Sequence, residues 1–364
     1  MILMKADWKL QKAAPYFERI RAIPENRVCR NLILLLLIFW VYIFVTFAGE
    51  VACSFVVGTV AQMFGVPASI WQENADAGLL LQIFLTTVCI ALTFVCCRCI
   101  ENRPVRTMYL TRKKLLPDYL GGAVLGFAMM GAVVLAAWAG GALKFEHAAA
   151  GNSPVIMVLL FLGWMIQGFS EELTFRGWLM TSVGTHHGVW FAVLISAVNF
   201  ALMHFANNGF SVFAVVNLFL FGIVTALYVL KTGSLWGAAA MHSIWNWAQG
   251  NFFGMQVSGI GTGSTVLNFS QTDKAVWLGG GTFGLEAGAA TTAVLIITAV
   301  ILLLMPQRSL QNEEDNTNGA IYSGTVTANL PRITVRRSAD ARNPDGCRSG
   351  RAGKRSAVGD PVSS

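Results

Sequence analysis

The feature that most constrains this chain is a succession of apolar runs between Asn31 and Met305, almost free of charge. Eight can be marked, at 32–57, 79–99, 117–141, 154–181, 188–206, 210–230, 234–251 and 287–305. Runs of about 18 or more apolar residues read as membrane-crossing helices. In lipid the backbone must satisfy its own hydrogen bonds, which a helix does. The expected fold is therefore all-α, with about eight transmembrane helices. Only 12% of the 364 residues are charged, against about 25% in soluble domains, so an ordinary soluble enzyme is excluded. A mean hydropathy of +0.57 excludes disorder of the body.

The net charge of +7 invites a nucleic-acid reading, but the placement of the charges argues for membrane topology instead. Residues 1–31 carry seven basic residues, the stretch from Arg98 to Lys114 six, and the tail after 305 nine. The connections 58–78, 142–153, 207–209 and 252–286 hold only Lys144 and Lys274. By the positive-inside rule both termini are expected in the cytoplasm of a multi-pass cell-membrane protein, and an even number of spans agrees, since it puts both termini on one side. The first run is too long for the core of a signal peptide.

Three regions are expected. Residues 1–31 form a basic cytoplasmic arm, either an amphipathic surface helix or a solvated segment. Residues 32–305 form the membrane domain. Residues 306–364, rich in Ser, Gly, Asn, Arg and Asp, read as a disordered cytoplasmic tail of mixed charge, with no nucleic-acid partner. The seven cysteines give no disulfide framework, and Cys96, Cys97 and Cys99 read as small buried or interfacial residues. His186 and His187 read as turn residues, Glu50 as a structural or interfacial carboxylate, and most tryptophans as packing or interfacial belts.

Ionisable groups inside membrane spans cost about 2.5–3.5 kcal/mol each at a helix centre, so they mark function. Span four carries Glu171, Glu172 and Arg176, span five ends on Phe200 and His204, and span seven carries His242 and Asn246. Glu172 and Arg176, four residues apart, share a helix face and can pair. Glu171 points about 100° away, toward another helix. With a turn near Thr185–Gly188, Glu171 and His204 lie at similar depth, and all four groups can converge on a polar intramembrane cavity. A carboxylate and a histidine can activate a water. A second histidine and an amide can hold an oxyanion. The alternative is zinc on Glu171, His204 and His242, with a position left open for water.

The motifs Glu171-Glu172-x-x-x-Arg176, Phe200-x-x-x-His204 and His242-x-x-x-Asn246 resemble those of the CPBP intramembrane endopeptidases, the Ras-converting CAAX prenyl protease-like or Abi family. The likeness has its core at 150–254. It implies an intramembrane endopeptidase acting on a membrane-associated peptide or protein. Glu171 would be the water-activating base, assisted by His204. His242 and Asn246 would form the oxyanion hole, and Glu172 with Arg176 a supporting pair. No cofactor is favoured; Asn246 is a natural hydrogen-bond donor and a poor zinc ligand. A bacteriocin-immunity or binding protein of the same family, and a proton-coupled transporter, are the competing readings.

Overall fold

A computed structural model describes Phe17, Ile20, residues 28–111 and residues 114–306. Each apolar run becomes a helix: α1 Leu32–Met63, α2 Ala75–Ile100, α3 Leu115–Ala139, α4 Pro154–His187, α5 Val189–Met203, α6 Val212–Thr232, α7 Leu235–Trp247 and α8 Ala289–Leu304. Five of them, α1 to α4 and α6, are long and apolar enough to cross a membrane. The Asn31 carboxamide starts α1 by accepting from the Leu34 N–H at 3.1 Å, as a helix N-cap should. Gly188, at φ +86°, makes the tight turn between α4 and α5 that the sequence predicts.

Large apolar side chains point outward along the bundle, among them Phe44, Phe55, Val124, Val155 and Ile297. A soluble monomer does not expose apolar surface on this scale, and lipid is its natural solvent. The molecule is a helical membrane protein.

The expectation of a purely α fold needs one correction. β1 (Leu143–Ala148) and β2 (Leu267–Gln271) pair antiparallel, Leu143 opposite Gln271 and Ala148 opposite Leu267, with a bulge between Phe145 and His147. The ribbon hid in two connections because its strands are short: the alternation Leu143/Phe145 and Leu267/Phe269 spans too few residues to stand out in the sequence.

Helix α7 is the centre of the bundle. Every residue from Gly237 to Asn246 is buried. It lies against α3 through glycines, since a methyl group on Gly122 or Gly126 would run into the Gly237 and Met241 backbones. On its other side, a Cβ on Gly168 of α4 would stand 2.7 Å from the Ser243 backbone nitrogen. Small residues let backbones approach in this way where no hydrophobic effect drives helices together. Gly122→Val is therefore expected to cost more than the about 1–3 kcal/mol of ordinary overpacking, because the obstacle is main chain. Size-exclusion profiles in detergent check this. Gly131→Ala on the same helix, with nothing within 4 Å of the new methyl, should run as wild type.

The two ends of the bundle differ. At one, Arg103 is fully buried, held by Glu101 at 2.5 Å and by Thr107, and it donates to the Trp178 carbonyl and the Ser182 hydroxyl of α4. Burial alone pushes the Arg103 pKa down, but the Glu101 carboxylate outweighs it and holds the value above the usual one. Arg103, counted in the sequence as a topogenic charge, is thus an internal tie. Lys231 donates to the Leu303 and Met305 carbonyls at the same end, where a cation complements the C-terminus of α8. Phe17 and Ile20 of the basic arm are buried, and Phe17 lies against Gly184 of α4. The rest of the arm up to residue 27, and the tail from 307, lie outside the described residues.

Candidate active site

Helix α4 does not run as a uniform α-helix. Its α-helical part ends at Glu172, and Leu173–Leu179 form a π-helical stretch before α-helix resumes at Met180. Such wide turns inside helices are frequent at functional sites. α7 also passes into a π-helical turn at Ala248–Phe252, just beyond Asn246. Two of the three motif-bearing helices therefore change pitch next to their polar residues.

Glu172 and Arg176 form the pair that their spacing predicts. The Arg176 Nη1–H donates to Glu172 Oε1 at 2.9 Å, and both side chains are fully buried. The guanidinium also lies over the Phe200 ring, 4.5 Å from its centroid. A further partner sits on another helix: His242 Nδ1 is 2.8 Å from the same carboxylate oxygen. A carboxylate only accepts, so this nitrogen carries the proton, and Nε2 is the free edge of the ring. Phe221 packs edge-on to that ring, with centroids 5.0 Å apart.

Glu171 faces differently, as the helical repeat requires. Its Oε1 accepts from the Gln167 amide at 2.5 Å. Its Oε2 is buried without a hydrogen-bond partner, 3.7 Å from His242 Nε2. Gln167 also accepts from the Asn246 amide at 2.9 Å, so one side chain spans from the glutamate to the asparagine. His204 is the C-cap of α5 rather than a residue within it, and its Nδ1 lies 2.9 Å from the Phe200 carbonyl. The chain leaves the helix there because Phe205–Gly209 turn back toward α6.

Glu171, His204, His242 and Asn246 line one cavity of about 250 Å³. Glu172 and Arg176 stand behind its wall. Among the described residues no three His, Cys, Asp or Glu side chains stand together as a metal-ligand group. Glu171, His204 and His242 as placed do not make the zinc set that the sequence left open.

Residues 153–248 match the sequence model of the family described as type II CAAX prenyl endopeptidase Rce1-like. Over this segment the chain is similar to that family. The segment runs from the start of α4 to the end of α7 and holds all three motifs. No curated protein matches the chain.

Around the matched segment the structure adds residues that the motifs do not include. Gln167 stands one turn before Glu171 in an apolar helix, and that spacing was a usable signal. Glu50 of α1, read from the sequence as a structural or interfacial carboxylate, lines the same cavity as Glu171. The signal was present in the cost of any carboxylate within a span. Glu286 also reaches the cavity. It accepts from the Trp245 indole at 3.2 Å and from the Ser258 backbone N–H and hydroxyl, both at 2.7 Å, which moors the loop after α7. No periodicity could reveal this residue, because its function depends on a loop folding back. His186 and His187 close α4 at the far end, away from the cavity.

Proposed function

We propose that this chain is an intramembrane endopeptidase that hydrolyses a peptide bond of a membrane-associated substrate with a water activated by Glu171. The observation that carries this reading is the unpartnered Glu171 Oε2 in the cavity beside His242. A general base needs an oxygen that its neighbours have not claimed. Glu171 takes a proton from water as the hydroxide oxygen bonds to the carbonyl carbon, with His204 assisting. The electron pair moves to the carbonyl oxygen. His242 Nε2 and Asn246 hold that oxyanion. When the intermediate collapses and the C–N bond breaks, the proton on Glu171 passes to the leaving amine.

The hydrogen bonds refine these roles. His242 keeps Nδ1–H on Glu172, so it donates to the oxyanion from Nε2 only when both ring nitrogens carry a proton. Asn246 spends one N–H on Gln167, and an amide has a second to offer. Neither role calls on a metal. All eight helices cross the bilayer in this reading, with both termini cytoplasmic. The cell membrane is the setting.

The test is cleavage of a peptide by the purified full chain in detergent, with elemental analysis of the same sample. Turnover with less than stoichiometric metal is expected. Zinc near one-to-one with the chain and required for turnover would overturn the metal-free mechanism. Peptide binding without cleavage would replace the enzyme with the immunity-protein reading.

A further inference from the structure

The cavity is not central in the bundle. Its lining takes nothing from residues 90–163, 176–199 or 222–241. It does take Asn207, Asn217, Ser258, Ile260 and Glu286, all at one end of the molecule. That end is knitted by its own hydrogen bonds. Asn207 donates to the Ser258 carbonyl, Asn217 to the Glu286 carbonyl, and the Gly263 and Ser264 N–H groups to Asp76. The other end is joined separately, through Arg103 to α4, Lys231 to the end of α8, and the Trp236 indole to the Thr111 carbonyl. Between that end and the cavity stand the wholly buried Trp178, Leu179, Val183, Leu227 and Leu230. The cavity is therefore closed toward one face and bounded by loops toward the other.

Charge distinguishes the faces. Arg30, Arg98, Arg106 and Lys114 lie at the closed end with Glu101 and Asp118, and Arg103 and Lys231 there are internal ties. The loop end has Lys144 and Lys274 together with Glu73, Asp76, Glu146 and Asp273. Basic residues flank membrane helices on the cytoplasmic side. We propose that the cavity opens away from the cytoplasm, and that its substrate is a peptide segment in the extracytoplasmic half of the bilayer rather than a prenylated cytoplasmic C-terminus. The substrate class rests on the proteolytic reading; the sidedness does not.

The experiment uses the full chain in intact cells and in inverted membrane vesicles. Met203 lines the cavity. In a chain whose native cysteines are replaced, Met203→Cys should react with a membrane-impermeant maleimide added to intact cells. The exposed Cys99, kept alone as reference, should react only in inverted vesicles. Met203→Cys reacting only in inverted vesicles, or in neither, would overturn the sidedness. Trypsin on the unmodified chain gives a second measurement that needs no variant. Cuts at Lys144 or Lys274 from outside the cell support it, and cuts there only in inverted vesicles overturn it. An unprenylated quenched-fluorescence peptide added to both preparations should be cleaved by right-side-out membranes and not by those of Glu171→Gln. Cleavage only by inverted vesicles, or by neither, overturns the substrate class, while labelling still decides the sidedness.

Discussion

Glu171→Gln should lower turnover by about 10²–10⁴-fold, the usual contribution of a positioned general base, and leave the protein folded. The amide keeps the volume, and its carbonyl can still accept from Gln167, which now holds Oε1 at 2.5 Å. What it cannot do is take a proton from water. The side chain is 24% exposed, and its contact with His242 at 3.7 Å is the longer of two, so its neutralisation leaves that ring its nearer carboxylate, Glu172, at 2.8 Å. Thermal unfolding in detergent should match that of wild type. Wild-type turnover in the purified variant would remove Glu171 from the mechanism.

Glu172→Ala should act in the opposite way, on the fold first. The Arg176 guanidinium is fully buried, and its Nε and Nη2 already have no hydrogen-bond partner. Glu172 Oε1 serves both Nη1 and His242 Nδ1. Removing it leaves a buried cation with no counter-ion, at about 3–5 kcal/mol, and frees the His242 ring to turn. Arg176→Ala should cost less, because Glu172 keeps His242 as a partner. The check is thermal unfolding of both variants beside Glu171→Gln. Unchanged unfolding in both would show that the ion pair does not hold these helices.

The contrast between adjacent glutamates was legible in the sequence, because a repeat of about 100° per residue sends neighbours to different faces. The Glu172–Arg176 pair was legible for the same local reason. That Glu172 also holds His242 was not, since it depends on how α4 and α7 face each other, and Glu172 and His242 are 70 residues apart. The apolar runs gave the helices because lipid demands the same composition of any helix that faces it. They could not show that α7 faces almost no lipid, since a buried membrane helix and an exposed one have similar hydropathy. The depth of the site was partly legible. Spacing put Glu171 and His204 well away from the turn at Gly188. The loops that make the far wall, with Ser258 and Glu286, carry no pattern that counts distance through the membrane.

The position of α7 has a consequence for biogenesis. The ribosome delivers helices in order, and α7 follows six others while carrying two of the four motif residues that line the cavity. Until it slots against the glycines of α3 and α4, Glu172 lacks its histidine and the cavity lacks a wall. A nascent chain halted before residue 235 therefore holds its glutamates without the means to use them. The order of synthesis keeps the site unassembled until most of the protein is already in the membrane.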